Sequence, residues 1–238
     1  MRTIYVAGYP RSGTTWLTRL LGDVLNCPTG GSIPGDDYRE PGAEGQGRPG
    51  AYVIRKGHFE LVSEKGPAVP RSHVLNYHQL TTEGVVFIQR DTRDVICSVK
   101  EYWDISTIEA TIRYMAIGQV VRNYRQYMQA WLAATFPHIV TSYEALWNDT
   151  AAEITRIVSE LGEPLDTERL NDSIFRQSFD ERKKNAAIDG ARLPLGKEYH
   201  IKFYRRGGIG GWREQFGQHD LELANSYFGS IWKAMGYV

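Results

Sequence analysis

The first 25 residues restrict the fold more than any other stretch of the chain. Thr3-Ile4-Tyr5-Val6-Ala7 is a β-branched and apolar run that stops at Gly8, the pattern of a buried strand. Residues 8–14 interrupt it with Gly, Pro and hydroxyl side chains. Trp16, Leu17, Leu20, Leu21, Val24 and Leu25 then recur at helical spacing, so a helix follows the loop. A strand entering a tight loop and then a helix opens an α/β fold, because parallel strands need a crossover that packs on the sheet.

The rest of the chain continues that alternation. Residues 51–55 and 84–89 read as a second and a third strand, the latter a nearly unbroken apolar run. Asp91 or Asp94 caps a helix carrying Val95, Ile96 and Val99. One long helix is predicted over 107–134, where Ile108, Ile112, Met115, Val120, Tyr124, Met128 and Leu132 step by three, four or five. Pro137 ends this region, and Ile139-Val140 begins a short strand. Thr150 with Glu153 has the spacing of a capping box, ahead of a helix whose inner face is Ile154, Ile157, Val158 and Leu161 and which Gly162 stops. A last helix is predicted from Asp220 to Met235. The expectation is a single α/β domain over residues 1–238, with a central parallel sheet flanked by helices and a P-loop-like strand–loop–helix at its N-terminus. Residues 28–50 break the pattern. With seven Gly and four Pro, they read either as a surface insertion or as a lid over an acceptor pocket.

Composition excludes several classes. The 28 Lys+Arg and 28 Asp+Glu residues cancel, so no global field favours nucleic acid or a membrane surface, while a local basic site is still allowed. No apolar run reaches the roughly 18–20 residues that span a bilayer, and the N-terminus lacks a signal-peptide core. The two cysteines, Cys27 and Cys97, are too few for a disulfide scaffold or a four-cysteine zinc site. A cytoplasmic protein is expected. His58, His73 and His78 are irregularly spaced for a zinc set, and no metal is expected.

The loop itself is Gly8-Tyr9-Pro10-Arg11-Ser12-Gly13-Thr14-Thr15-Trp16. Between a strand and a helix, it aims successive backbone N–H groups and the positive end of the helix dipole at one spot, an oxyanion site. Ser12, Thr14 and Thr15 add hydroxyl donors. Gly8 and Gly13 have the spacing of a nucleoside-triphosphate loop, but Thr14 stands where that loop needs its lysine, and the cation has moved to Arg11. A second candidate anion site pairs Arg90, at the end of the third strand, with Ser98, about two turns into the next helix; open α/β sheets bind ligands at the carboxyl ends of their strands. A third basic, glycine-rich stretch is Phe203-Tyr204-Arg205-Arg206-Gly207-Gly208-Ile209-Gly210-Gly211-Trp212-Arg213. Its glycines permit close backbone approach and its arginines bidentate contacts. Arg93 and Asp94 are expected to face solvent or to cap the helix.

Together these motifs resemble the PAPS-dependent sulfotransferases, of cytosolic or bacterial type, PAPS being 3′-phosphoadenosine 5′-phosphosulfate. Pro10 to Trp16 resembles their 5′-phosphosulfate loop, with Arg11 in the place where cytosolic members carry Lys. The resemblance implies that Arg11, Ser12, Gly13, Thr14 and Thr15 hold the 5′ end and that Trp16 and Phe179 stack on adenine. It places Tyr143 near the base, and it puts Arg90, Ser98, Arg205, Arg206 and Gly207 on the 3′-phosphate. The family usually has Lys at the position of Arg206 and often Asp at that of Gly211. Lys56-Gly57-His58 resembles the family's Lys-x-His, implying that His58 takes the acceptor proton and that Lys56, with Arg11, stabilises the transferring group. His73 is the alternative base. The implied activity is metal-free sulfuryl transfer from PAPS, leaving 3′-phosphoadenosine 5′-phosphate (PAP), to a hydroxyl or amine of a small-molecule or carbohydrate acceptor. Tyr52, Phe59, Tyr102 and Trp103 are either an apolar acceptor wall or core. A P-loop nucleotide or small-molecule kinase is the rival reading.

Overall fold

The computed structural model describes residues 2–30, 52–57, 60–62, 74–76, 84–118, 123–190 and 207–237. Five parallel strands form the sheet: β1 (Arg2–Ala7), β2 (Thr29–Gly30), β3 (Tyr52–Gly57), β6 (Gly84–Gln89) and β7 (Ile139–Ser142), in the order β2-β3-β1-β6-β7. β1 lies at the centre, with Ala7 in register with Gly57 on one side and with Phe87 on the other. The order turns outward in both directions from β1, which opens a crevice at the carboxyl ends of β1 and its neighbours.

Alternate residues of the strands feed two separate cores. Ile4, Val6, Val86 and Ile88 pack with Leu17, Leu20 and Leu21 of α1 (Thr14–Val24) and with Ile154, Ile157 and Val158. Ala7, Val85 and Phe87 face the opposite side. There they meet α2 (Thr92–Tyr102), α3 (Ile108–Ile117), α4 (Tyr124–Leu132) and, near the C-terminus, Phe228 and Ile231. A parallel sheet covered on both faces needs strands that are apolar throughout, and β6 is buried from Gly84 to Ile88. Leu170, on a helix that packs beside α1, closes the first core.

Four expectations are corrected. The long helix predicted over 107–134 is two helices: Gly118, at φ +82°, ends α3 in a left-handed cap, and Asn123 caps α4 by accepting from Gln126 N at 3.2 Å. The glycine-rich excursion begins later than residue 28, because Thr29–Gly30 pairs with Ile54 and Arg55 of β3; residues 31–50 lie outside the described residues. The predicted Thr150–Glu153 capping box is replaced by Asp149, which accepts from Ala152 N at 2.9 Å. Thr150 turns back to Leu146 O, and Glu153 serves Thr141 and Arg156. Arg93 and Asp94 are buried, as described below.

Several elements went unpredicted. β4 (Glu60–Val62) and β5 (Val74–Asn76) make a small parallel pair of their own. α5 (Tyr143–Asn148) follows β7 directly, and α6 (Thr150–Glu160) is the helix predicted there. α7 (Thr167–Arg176) and α8 (Phe179–Gly190) lead to a short 3₁₀ turn at Gly211–Glu214, and then to α9 (Gln218–Ala234), which is the last helix predicted from Asp220 to Met235. No described helix is long and apolar enough to cross a membrane.

Candidate active site

The loop between β1 and α1 is shaped by two tight approaches. A Cβ at Gly8 would lie 2.7 Å from Ile88 O, and one at Gly13 would lie 2.8 Å from Tyr143 Cδ2. Gly13 is also at φ +99°, where a side chain is strained. Ser12 N donates to Tyr9 O at 3.1 Å and closes the turn. Tyr9 anchors it from beneath, fully buried, with its ring edge-on to Tyr124 and Tyr127 at 4.7 and 5.4 Å. Burial raises its hydroxyl pKa far above the usual tyrosine range, so Tyr9 stays neutral. Gly13 begins α1 without a side-chain cap, and no acidic residue lies in the first turn. The opening N–H groups and the dipole of α1 therefore face the loop with no carboxylate in their own turn. Ser12, Thr14 and Thr15 are buried around it.

Arg11 sits at φ +72°, a conformation few side-chain-bearing residues adopt. Its Nε donates to Ser98 Oγ at 2.9 Å, and its guanidinium lies 4.6 Å from the ring centre of Tyr102. The first and second motifs thus meet at one cation. Arg90 backs the same loop from the end of β6: Nη1 donates to Arg11 O at 3.2 Å and Nη2 to Gly208 O at 3.0 Å. Its guanidinium lies 4.1 Å from the Tyr143 ring centre. On the other side, Lys56 Nζ donates to Thr15 Oγ1 at 3.1 Å, which brings the end of β3 to the loop.

An aromatic group borders this cationic cluster. Trp16 lies 5.5 Å from Tyr143 and 6.5 Å from Trp147, and Tyr143 stacks on Trp147 at 6.2 Å. Phe179 packs under Gly207, whose φ is +49° and where any Cβ would overlap the Phe179 ring. The Tyr143 hydroxyl accepts from Gly208 N at 3.4 Å.

Arg11, Ser12, Gly13, Thr14, Thr15, Trp16, Lys56, Arg90, Ser98, Tyr143, Phe179 and Gly207 therefore gather around the carboxyl edge of β3, β1, β6 and β7. Ser98 meets Arg11 where the sequence reading paired it with Arg90. His58, His73, Arg205 and Arg206 lie outside the described residues, as does Phe59; the side chain of Tyr52 does too. Among the described residues, no group of three or more His, Cys, Asp or Glu is placed to hold a metal ion.

Sequence reasoning missed three supports. Asp94 is 4% exposed, and its carboxylate accepts from Gly210 N at 2.6 Å and from Trp212 N at 3.0 Å. Arg93 is held by Asp91 through contacts of 2.7–3.2 Å, and its guanidinium lies 4.0 and 5.0 Å from the ring centres of Trp212 and Trp232. Glu144 accepts from Asp91 N at 3.0 Å and from the Tyr237 hydroxyl at 2.6 Å, tying the C-terminal segment to the same corner. The one signal available was proximity: Asp94 falls four residues after Arg90, in the first turn of α2.

The donor set suits a nucleotide with anions at two positions. Arg90 keeps a buried Nε without a partner among the described residues, Arg11 and Lys56 supply charge at the loop, and the ring group offers a face for a base. A sulfotransferase domain model matches residues 2–236. Sulfotransferase 1A1 of Bos taurus is 25% identical over 251 residues, covering 94% of this chain and 81% of that protein. Its counterpart from Canis lupus familiaris is 26% identical over 239 residues, covering 90% and 77%. A mouse sulfotransferase complexed with PAP has a TM-score of 0.72 at 17% identity, covering 99% of this chain and 87% of that one. Retinol dehydratase in complex with androsterone and inactive cofactor PAP has a TM-score of 0.69 at 19% identity, covering 98% and 82%. The structural likeness establishes a common fold, and the family match sets aside the kinase reading: the chain belongs to the PAPS-dependent sulfotransferase family.

Proposed function

We propose that this enzyme transfers a sulfuryl group from PAPS to the hydroxyl of an apolar or ring-bearing small molecule, with His58 as general base. The observation that carries the reading is the setting of Arg11, a loop cation held between Ser98 and Tyr102 with Arg90 behind its carbonyl. PAPS supplies the activated sulfuryl group and leaves as PAP. Arg11, Ser12, Gly13, Thr14 and Thr15 hold its 5′ end through backbone and side-chain donors. Arg90, Ser98, Arg205, Arg206 and Gly207 take the 3′-phosphate. Trp16 and Phe179 stack on adenine beside Tyr143.

Lys56 and Arg11 flank the loop on opposite sides, and both place positive charge where negative charge develops on the leaving oxygen. His58 follows directly on Gly57, the last residue of β3 and the partner of Ala7 in register. There it accepts the acceptor's hydroxyl proton as the oxygen attacks in line. These cations do the work that a metal does in phosphoryl transfer, so activity persists in a chelator.

The acceptor class rests on Tyr102 and Trp103, whose rings meet edge-to-face at 4.6 Å beside Arg11. Retinol dehydratase, which shares the fold, has been solved with androsterone and with retinol. An apolar alcohol accordingly fits better than a carbohydrate. The test is transfer of label from radioactive PAPS to a panel of phenols, sterol-like alcohols, amines and sugars. His58→Ala lowers turnover more than about tenfold while PAP affinity holds. Label on sugars alone would overturn the acceptor class, and full activity of His58→Ala the base.

A further inference from the structure

The glycine-rich part of the third basic motif is unusually free in its backbone. Gly207, Gly208 and Gly210 have φ values of +49°, +142° and +74°, and each glycine adds conformational entropy that ordering must overcome. Its order in the fold comes from side chains of the β6–α2 corner. Arg90 donates to Gly208 O, Arg93 lies on the Trp212 ring, and Asp94 accepts from the N–H groups of Gly210 and Trp212. Asp94 provides two of the three charge-assisted bonds of this grip, which are the strong kind, and Arg90 provides the third. Arg93 cannot substitute for it, because a guanidinium offers donors only and the groups held by Asp94 are themselves N–H donors.

We propose that Asp94 is a positioning residue for donor recognition: by holding Gly210 and Trp212 it sets the Gly207–Gly208 step against Arg90 and thereby the preference for a nucleotide bearing a 3′-phosphate. This rests on the donor site described above. A carboxylate near a phosphate site is a liability unless it is consumed, and here two N–H groups consume it. The sign of the Asp94→Asn effect is therefore informative. If Asp94 acted only through its charge, removing that charge would strengthen binding of PAP. As a positioning residue its loss weakens binding, because the two N–H groups bond different oxygens of Asp94, and in Asn one of those oxygens becomes an NH₂ that faces an N–H donor.

The test is calorimetry of PAP and of adenosine 5′-phosphate on the wild-type protein, Asp94→Asn and Asp94→Ala, with folding checked by circular dichroism and thermal melting. The expected result is a loss of about tenfold in PAP affinity for the variants, with adenosine 5′-phosphate affinity changed by less than about twofold. The donor KM rises in parallel while kcat at saturating donor holds. Equal losses for both nucleotides, no loss, or a gain for PAP would overturn the proposal, as would failure of both variants to fold, since Asp94 would then be a structural residue. A wild-type protein that binds no PAP would instead overturn the donor site itself.

Discussion

The Nε of Arg11 and the Oγ of Ser98 meet at 2.9 Å although 87 residues separate them. The contact holds the loop cation sideways, and Arg11 keeps a backbone conformation, φ +72°, that glycine would adopt at no cost. Strain of this kind persists at functional sites because the surroundings enforce it.

Arg11→Gly and Arg11→Ala separate the strain from the chemistry. Both remove the cation, and both lose about 100-fold in turnover. Arg11→Gly is the more stable of the two by about 1 kcal/mol, because only Ala carries a Cβ into the left-handed region. Urea unfolding of the pair, alongside labelled transfer, checks both halves; an Arg11→Ala protein as stable as Arg11→Gly contradicts the backbone argument.

Gly13→Ala strikes the loop at its other left-handed position. The added methyl meets Tyr143 at 2.8 Å and Ile88 Cδ1 at 3.2 Å. Tyr143 must retreat, and with it the ring that faces Arg90. PAP affinity falls about tenfold or more, at a stability cost of about 1–3 kcal/mol. Calorimetry showing unchanged affinity would separate Tyr143 from the donor site.

The sheet edge carries a pH-dependent support. Hydrogen bonds from Arg156 hold the Glu153 carboxyl below its ordinary pKa, and a bond from the buried Thr141 on β7 lowers it further, against the effect of burial. A folded pKa below the unfolded value near about 4.3 adds stability that is present above that value and fades as pH falls through the lowered one. Glu153→Gln therefore destabilises the protein most at neutral pH. The wild-type and variant stability curves converge as pH falls through the lowered value; a constant gap down to acid would show that the loss is packing alone.

Cys27 offers a check on burial. Its thiol is pushed up to about 12, mainly by burial and further by the nearby Glu163. Thiolate is the reactive form, so Cys27 resists iodoacetamide at pH 8 in the native protein and reacts once urea exposes it. Peptide mapping after alkylation reads this directly, and rapid native labelling would contradict the packing of α1.

Legibility followed the range of the physics involved. β1, α1 and β6 were readable because their burial is periodic over a few residues, and the loop from Gly8 to Trp16 because its donors are contiguous. The break between α3 and α4 was hidden: apolar stepping runs through Gly118 and Asn123 as though one helix continued. Asp149 and Thr150 are adjacent cap formers, and spacing alone favoured the wrong one. α8 offered too few apolar residues to announce a face. Asp94 was assigned to solvent or a cap by its charge, because its partners lie 116 and 118 residues away and no local pattern encodes them. The sites that match the family sit on short contiguous motifs; the groups that brace them are long-range.

Gly8 sits so close to the carbonyl of Ile88 that the donor loop and β6 are cast as one piece. Tyr102 and Trp103, by contrast, hang from the last turn of α2, and Trp103 is exposed. On the proposed reading, appetite for new acceptors can be engineered or evolved at that fringe while the nucleotide machinery is inherited intact.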